Sequence, residues 1–344
     1  MYCTPNTCLL AGVLLLVALL PGCSSVPQSR ALLEQPPGQL PEAAELIATP
    51  FNPQQRYQCG PAALATVLQT QAIEVSAEQL VDAVYLPAMH GSLPEEMAAT
   101  ARRYGLLAYR LQPALEDLLT EIAHGNPVLV YQNLGLSWLP QWHFAVAIGY
   151  SLDDKELVLR SGTTPRLRTT LATFERTWSR GDYWGLVILP PGDLPVTARL
   201  TGYLRAVRDL ELTAGSEHAL PAYQAATVRW PNQSLPWLTL GNSDYARGDY
   251  TAAEHAFRQA SRVAPQEPGG WNNLAFALLQ NGCPQQALQA ARCAERIADN
   301  EDPRYRESVH ELRSASRGTD APQCQVVNCP VKPLQTLSAP KRSD

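Results

Sequence analysis

Few residues in this chain have both a reactive side chain and a local setting that would use it, and Cys59 and His143 are the pair that does. Cys59 opens the stretch Cys59-Gly60-Pro61-Ala62-Ala63-Leu64, which reads as the start of a helix with Pro61 in its first turn, where a missing N–H loses nothing. A thiol there meets unpaired backbone N–H groups and the positive end of the helix dipole, so the position predicts a lowered thiol pKa. Gly60 leaves room for a substrate backbone. His143 heads the apolar run Phe144–Tyr150, just after the polar turn Leu139-Pro140-Gln141. An imidazole at a strand end facing the helix tip is placed to take the thiol proton, which is what nucleophilic attack on a carbonyl requires.

The elements that must position this pair follow from periodicity and punctuation. Helices are expected from Cys59, over about 77–85 with Ser76 as cap, over 93–104 with Ser92 as cap, and over about 113–124. Apolar runs at Pro127–Tyr131, Phe144–Tyr150, Leu157–Leu159 and Trp184–Leu189 read as buried strands. Helices followed by a mostly antiparallel sheet predict an α+β domain rather than a doubly wound one. Residues 24–48 read as a small-residue, Pro-containing tether with a short helix over Glu42–Ile47.

Beyond about 200 the pattern is helical and repeats. Trp237, Leu240, Gly248, Ala253, Phe257, Ala260 and Pro265 recur in register as Trp271, Leu274, Gly282, Ala287, Ala291, Ala294 and Asp299, a period of about 34 residues. A third copy lies one period earlier, beginning at Tyr203, and Tyr305, one period after Trp271, begins a capping helix. The spacing resembles the tetratricopeptide pattern, in which each helical hairpin needs a neighbour to bury its apolar face. That resemblance implies an all-α solenoid able to bind a protein partner or peptide on its concave face.

The 344 residues carry 27 Lys and Arg against 32 Asp and Glu. With no basic stripe, a nucleic-acid surface is not expected. Length and composition predict about two globular domains. Leu9–Leu20 is an apolar run too short to span a bilayer, and Met1–Gly22 holds no charged side chain, the texture of a signal peptide. Leu20-Pro21-Gly22-Cys23-Ser24 resembles a bacterial lipobox, which implies cleavage, acylation of Cys23 and, with Ser24 next, sorting to the periplasmic face of the outer membrane. Of the eight cysteines, Cys3 and Cys8 would leave with the signal and Cys23 would carry lipid. Cys283 and Cys293, ten apart, cannot bridge each other along one helix. The expectation is that Cys324 and Cys329 return to staple them, leaving Cys59 as the free thiol.

The segment Pro53-Gln54-Gln55-Arg56-Tyr57-Gln58-Cys59-Gly60-Pro61 resembles the nucleophile segment of the bacteriocin-processing, double-glycine-leader cysteine peptidases, a papain-like family often fused to exporters. His143–Tyr150 resembles its histidine strand, and Phe174-x-x-x-Trp178 with Trp184–Leu189 its closing helix and strand. The resemblance implies that Gln54, rather than Gln55 or Gln58, donates to the oxyanion together with the Cys59 N–H. It also implies an Asp that orients the histidine at the end of the following strand. Here that strand reads Glu156-Leu157-Val158-Leu159-Arg160-Ser161, so the third position falls to Ser161, to Asp154 in the preceding turn, or to neither. No phosphate-binding Gly-x-x-x-x-Gly-Lys-Ser/Thr occurs, so ATP-driven export is not implied. His90, His124, His218, His255 and His310 are scattered, and no metal or other cofactor is expected.

Together these readings predict a signal peptide over 1–22, a lipidated tether over 23–49, and an α+β papain-like cysteine peptidase domain over 50–195. Three tetratricopeptide repeats with a capping helix follow over 200–317, and then a tail over 318–344. The expected activity is cleavage of a peptide or protein by a Cys59–His143 thiol mechanism. A catalytically silent peptide-binding adaptor and an acyltransferase using the same thiol are the alternatives.

Overall fold

A computed structural model describes residues 26–55, 57–298, 302–316 and 318–330. The expected signal peptide, Cys23, Arg56 and residues 331–344 lie outside the described residues. The first elements are α1 (Pro27–Glu34), β1 (Ala43–Glu45), α2 (Cys59–Thr70), α3 (Ala77–Val84) and α4 (Pro94–Arg103). There follow β2 (Leu107–Arg110), α5 (Leu115–Ala123), β3 (Val128–Asn133), β4 (Trp142–Ser151), β5 (Glu156–Ser161), β6 (Thr164–Thr170), α6 (Leu171–Ser179) and β7 (Gly185–Leu189). The remaining elements are helices: α7 (Leu200–Ala214), α8 (Ser216–Arg229), α9 (Ser234–Ala246), α10 (Tyr250–Val263), α11 (Pro268–Gln280), α12 (Pro284–Ile297) and α13 (Pro303–Ala315).

The chain folds as two compact units whose segments interleave. One takes in the residues up to Thr70, Glu74–Pro94 and Leu111–Gly185; the other takes in Gln71–Ile73, Glu95–Arg110 and the residues from Leu186 on. In the first unit β4 is the central strand. Its residues His143–Tyr150 are all buried, the result of an almost unbroken apolar run covered on both faces. β3 pairs antiparallel with its first half (Gln132 opposite His143, Val128 opposite Ala147), and β1 with its last residues (Ala43 opposite Ser151). β5 pairs antiparallel with β4, and β6 with β5. Gly149 is required where β1 crosses, because a Cβ there would lie 2.8 Å from the Ala44 carbonyl oxygen.

Two local expectations give way to tertiary contacts. The helix expected over Glu42–Ile47 is instead strand β1, because ladder pairing with the end of β4 outweighs a short, weak helix signal. Ser92 does not cap the helix that follows: its hydroxyl is buried and makes no hydrogen bond. Ser76 does cap, exchanging hydrogen bonds with Gln79 in a capping box.

In the second unit β2 and β7 form an antiparallel pair (Leu107 opposite Leu189), and the helices after it repeat. α7, α9 and α11 begin at Leu200, Ser234 and Pro268, and α8, α10 and α12 at Ser216, Tyr250 and Pro284. The step is constant and equals the period read in the sequence. Equivalent residues make equivalent contacts. The Trp237 indole donates to the Pro231 carbonyl at 3.0 Å, and the Trp271 indole to the Pro265 carbonyl at 3.0 Å. Gly248 and Gly282 turn the chain between paired helices with φ of 82° and 74°, a backbone shape that favours glycine. Disulfides join Cys283 to Cys324 and Cys293 to Cys329, fastening the segment after α13 to the start and the body of α12.

Candidate active site

Cys59 is the first residue of α2, and the segment ahead of it is held on both sides. The Asn52 amide donates to Thr66 Oγ1 at 3.1 Å and to Gln69 Oε1 at 2.9 Å, tying the segment to the flank of α2. The Gln54 N–H donates to the Gly162 carbonyl at 3.0 Å, tying it to the β5–β6 turn. Arg160 adds a third fastening: its guanidinium donates to the carbonyls of Ile47 at 3.0 Å, Thr49 at 2.8 Å and Pro165. Two residues before Cys59 the backbone is left-handed at Tyr57 (φ 65°), whose ring tilts against His90 at 5.4 Å. A non-glycine residue held in this region is a conformation the surroundings must enforce.

The thiol of Cys59 is buried and unpaired with any other cysteine. Backbone N–H groups of Phe144, Gly60 and Cys59 itself act to lower its pKa, and Cys59 shares a cavity with Phe144 of β4. His143 is buried on β4, and its Nε2 is 2.8 Å from the Ser161 hydroxyl at the end of β5. Gln54, Cys59, Phe144, Arg160, Ser161 and Gly162 line a single small cavity. Its volume of about 10 Å³ is room for about one water.

The electrostatics differ from the lowered thiol pKa that the helix start alone predicts. The three backbone donors do pull the thiol down, but burial pushes it up and prevails. Burial also lowers His143 from 6.5 to about 4. At neutral pH Cys59 is therefore a thiol and His143 a neutral imidazole, not a thiolate and an imidazolium.

Of the residues the sequence singled out, Gln54, Cys59 and Ser161 line one cavity, and His143 meets Ser161. Asp154 is not: it stands in the β4–β5 turn with its carboxylate 3.7 Å from Arg168 Nη1 and its N–H on Ser151 Oγ. A short turn between two paired strands points it to solvent at the far end of β5 from Ser161. Asn52, Gln69 and the clasping role of Arg160 were not foreseen, since a lone polar residue in an irregular segment carries no periodic signal. Among the described residues no group of three or more His, Cys, Asp and Glu side chains could hold a metal ion, and no helix is long and apolar enough to cross a membrane.

Comparison with known proteins bears on this same segment. Residues 46–182 match the family described as Peptidase C39-like. No curated protein matches the chain. A crystal structure of a Bacillus anthracis protein described as a putative C39-like peptidase aligns at 17% identity and a TM-score of 0.38, covering 43% of this chain and 98% of that one. Over residues 46–182, which hold Gln54, Cys59, His143 and Ser161, the chain is similar to a papain-like C39 domain.

Proposed function

We propose that the protein is a cysteine peptidase in which Cys59 is the nucleophile, His143 the base and Ser161 the group that orients the base. The observation that carries this reading is a helix-initial free thiol that lines the same cavity as Ser161, whose hydroxyl lies 2.8 Å from His143 Nε2. Because the resting pair is neutral, the thiol proton passes to His143 as sulfur attacks the carbonyl carbon, not before. The Cys59 N–H and the Gln54 amide then receive the oxyanion, an interaction worth ~2.7–4 kcal/mol per donor in such sites. His143 returns the proton to the leaving amine as the C–N bond breaks, and water hydrolyses the thioester by the same route in reverse.

A second reading has its own support. A base lowered to about 4 and partnered by a hydroxyl is a weak activator, which favours a silent peptide-binding adaptor. An acyltransferase would share the thioester and differ only in the acceptor. Labelling with an electrophilic peptide probe separates enzyme from adaptor. The enzyme predicts Cys59 modification that falls by about 10²–10⁴ in His143→Ala, the usual worth of general base catalysis. A Cys59 no faster than a free thiol, and indifferent to His143, would sink the peptidase reading.

The setting of the site belongs to the same proposal. Cys23 carries an acyl anchor at the periplasmic face of an outer membrane, to be checked by intact mass of membrane-extracted protein; a mature chain with no acyl mass removes it. The helical repeats act as a tetratricopeptide module for a protein or peptide partner. This is supported by a cavity of about 290 Å³ lined by Tyr245, Phe257 and Phe276, with Asn242 and Asn273 at hydrogen-bond distance from one another. Side chains of this kind, apolar with a few carboxamides, suit an extended peptide.

A further inference from the structure

The connection between β3 and β4 carries a feature the proposed chemistry does not use. From Asn133 to Trp142 the sequence reads Asn-Leu-Gly-Leu-Ser-Trp-Leu-Pro-Gln-Trp, a stretch without a charge. Trp138 at its apex is 78% exposed and Leu139 59%, while Leu134, Leu136 and Trp142 are about half exposed. Isolated exposed apolar residues need no explanation, but several in one uncharged loop mark an interaction site.

The loop's backbone is paired from within on either side of its apex, Ser137-Trp138. Leu134 N–H donates to the Gln141 carbonyl at 2.9 Å, and Leu136 and Leu139 exchange N–H to carbonyl bonds at 3.1 Å each. Asn133 Oδ1 accepts from the N–H groups of Gly135 and Gln141, both at 2.9 Å. Arg180, the residue after α6, donates to the Gly135 carbonyl at 2.5 Å and to the Asn133 carbonyl at 3.4 Å. Gly135 is obligatory here, since a Cβ would lie 2.4 Å from the Leu139 carbonyl oxygen.

The same helix that clasps the loop also fixes where the chain ahead of α1 joins the folded unit. Glu175, fully buried in the middle of α6, accepts from the N–H groups of Gln28 at 3.0 Å and Ser29 at 2.6 Å and from the Ser29 hydroxyl at 2.5 Å. The Gln28 side chain in turn accepts from Leu115 N–H at 2.6 Å. The first turn of α1 is thereby locked to α6, the helix that Arg180 follows. Ahead of α1 lies Cys23, the proposed acylation site, and the inference rests on that reading.

We infer that the Leu134–Trp142 loop is a lipid-surface contact: its Trp and Leu side chains enter the interfacial layer of the bilayer to which the acylated Cys23 would tether the chain. Trp favours that layer because its ring is apolar and its indole N–H polar. The same contact would set His143, one residue beyond Trp142, at a fixed height above the lipid.

The test uses the full chain with Cys3, Cys8, Cys23 and Cys59 replaced by alanine, so that no acyl chain contributes. A nitrobenzoxadiazole probe is attached at Ser137→Cys or, as a control, at Asp153→Cys in the exposed β4–β5 turn. Vesicles of phosphatidylethanolamine and phosphatidylglycerol are added, with and without nitroxide-bearing lipid. The expected result is a blue shift and nitroxide quenching at 137 only, both lost when Trp138→Ser and Leu139→Ser are combined. A probe at 137 unchanged by vesicles overturns the inference, even if the protein floats with them through its N-terminal run. A probe already blue-shifted without lipid also overturns it, and dilution then tells a second copy of the chain from the Leu9–Leu20 segment as the occupant.

Discussion

Burial sets the pH behaviour of His143, and the Ser161 hydroxyl at its Nε2 sets the orientation of the ring. The buried imidazole titrates at about 4 rather than 6.5. Between those values the unfolded chain binds a proton that the folded chain refuses, so His143 contributes stability that is present above pH 6.5 and is lost as pH falls towards 4. The loss is on the order of 3 kcal/mol at 1.36 kcal/mol per pH unit. Urea titrations from pH 7 to pH 4 are expected to show it, and His143→Gln to flatten that limb; an unchanged acid limb would contradict the burial of an uncharged ring. A second expectation concerns Ser161→Asp. A carboxylate at Nε2 favours the imidazolium, so Cys59 alkylation near pH 7 should rise by about tenfold or more. Ser161→Ala should lower it, because the ring loses its fixed orientation.

At the scale of elements, two contacts decide whether pieces stay docked. Glu175 holds the first turn of α1 through three hydrogen bonds to a buried carboxylate. Charge-assisted bonds of this kind are worth ~1.5–3 kcal/mol each, and they are partly redundant. Glu175→Ala is expected to lower stability by a few kcal/mol, and limited proteolysis should show new cleavage within Pro27–Glu34. Retained protection would mean that apolar packing alone docks the helix. In the repeat region, a Cβ on Gly241 of α9 would lie 2.5 Å from the Phe257 ring of α10. Gly241→Ala must therefore push the hairpin open, with a loss of ~1–3 kcal/mol measured by denaturant melting.

At the scale of the molecule, the two units draw on different means of stabilisation. The first rests on a buried antiparallel sheet with helices against it. The second rests on small-residue helix packing, and its last hairpin is closed by disulfides spanning 41 and 36 residues. Loops of that length correspond to about 4 kcal/mol each in the chain-entropy account. Calorimetry under reducing conditions is expected to lower the unfolding temperature of the helical unit, while Cys59 labelling at room temperature is unchanged. A labelling rate that moved with the disulfides would show that the site depends on them.

What the sequence determined by itself was whatever is written in period or punctuation. The constant step of the paired helices, the buried β4, the cap at Ser76 and the helix start at Cys59 were all legible, because each rests on contacts within a few residues or on a regular repeat. The segment match over 46–182 agrees with the reading of a papain-like C39 domain. Strand β6, exposed along nearly its whole length, shows no alternation and was not legible. Strand β1 was misread as helix because only its partner makes it a strand. The tertiary structure alone decided that Ser161, not Asp154, meets His143, since side-chain proximity across β4 and β5 depends on register and on a bulge between Ala147 and Gly149. It alone decided the charge state of the pair, too. A helix start predicts a thiolate, but how deeply the thiol is buried is a property of everything packed around it, and here burial prevails.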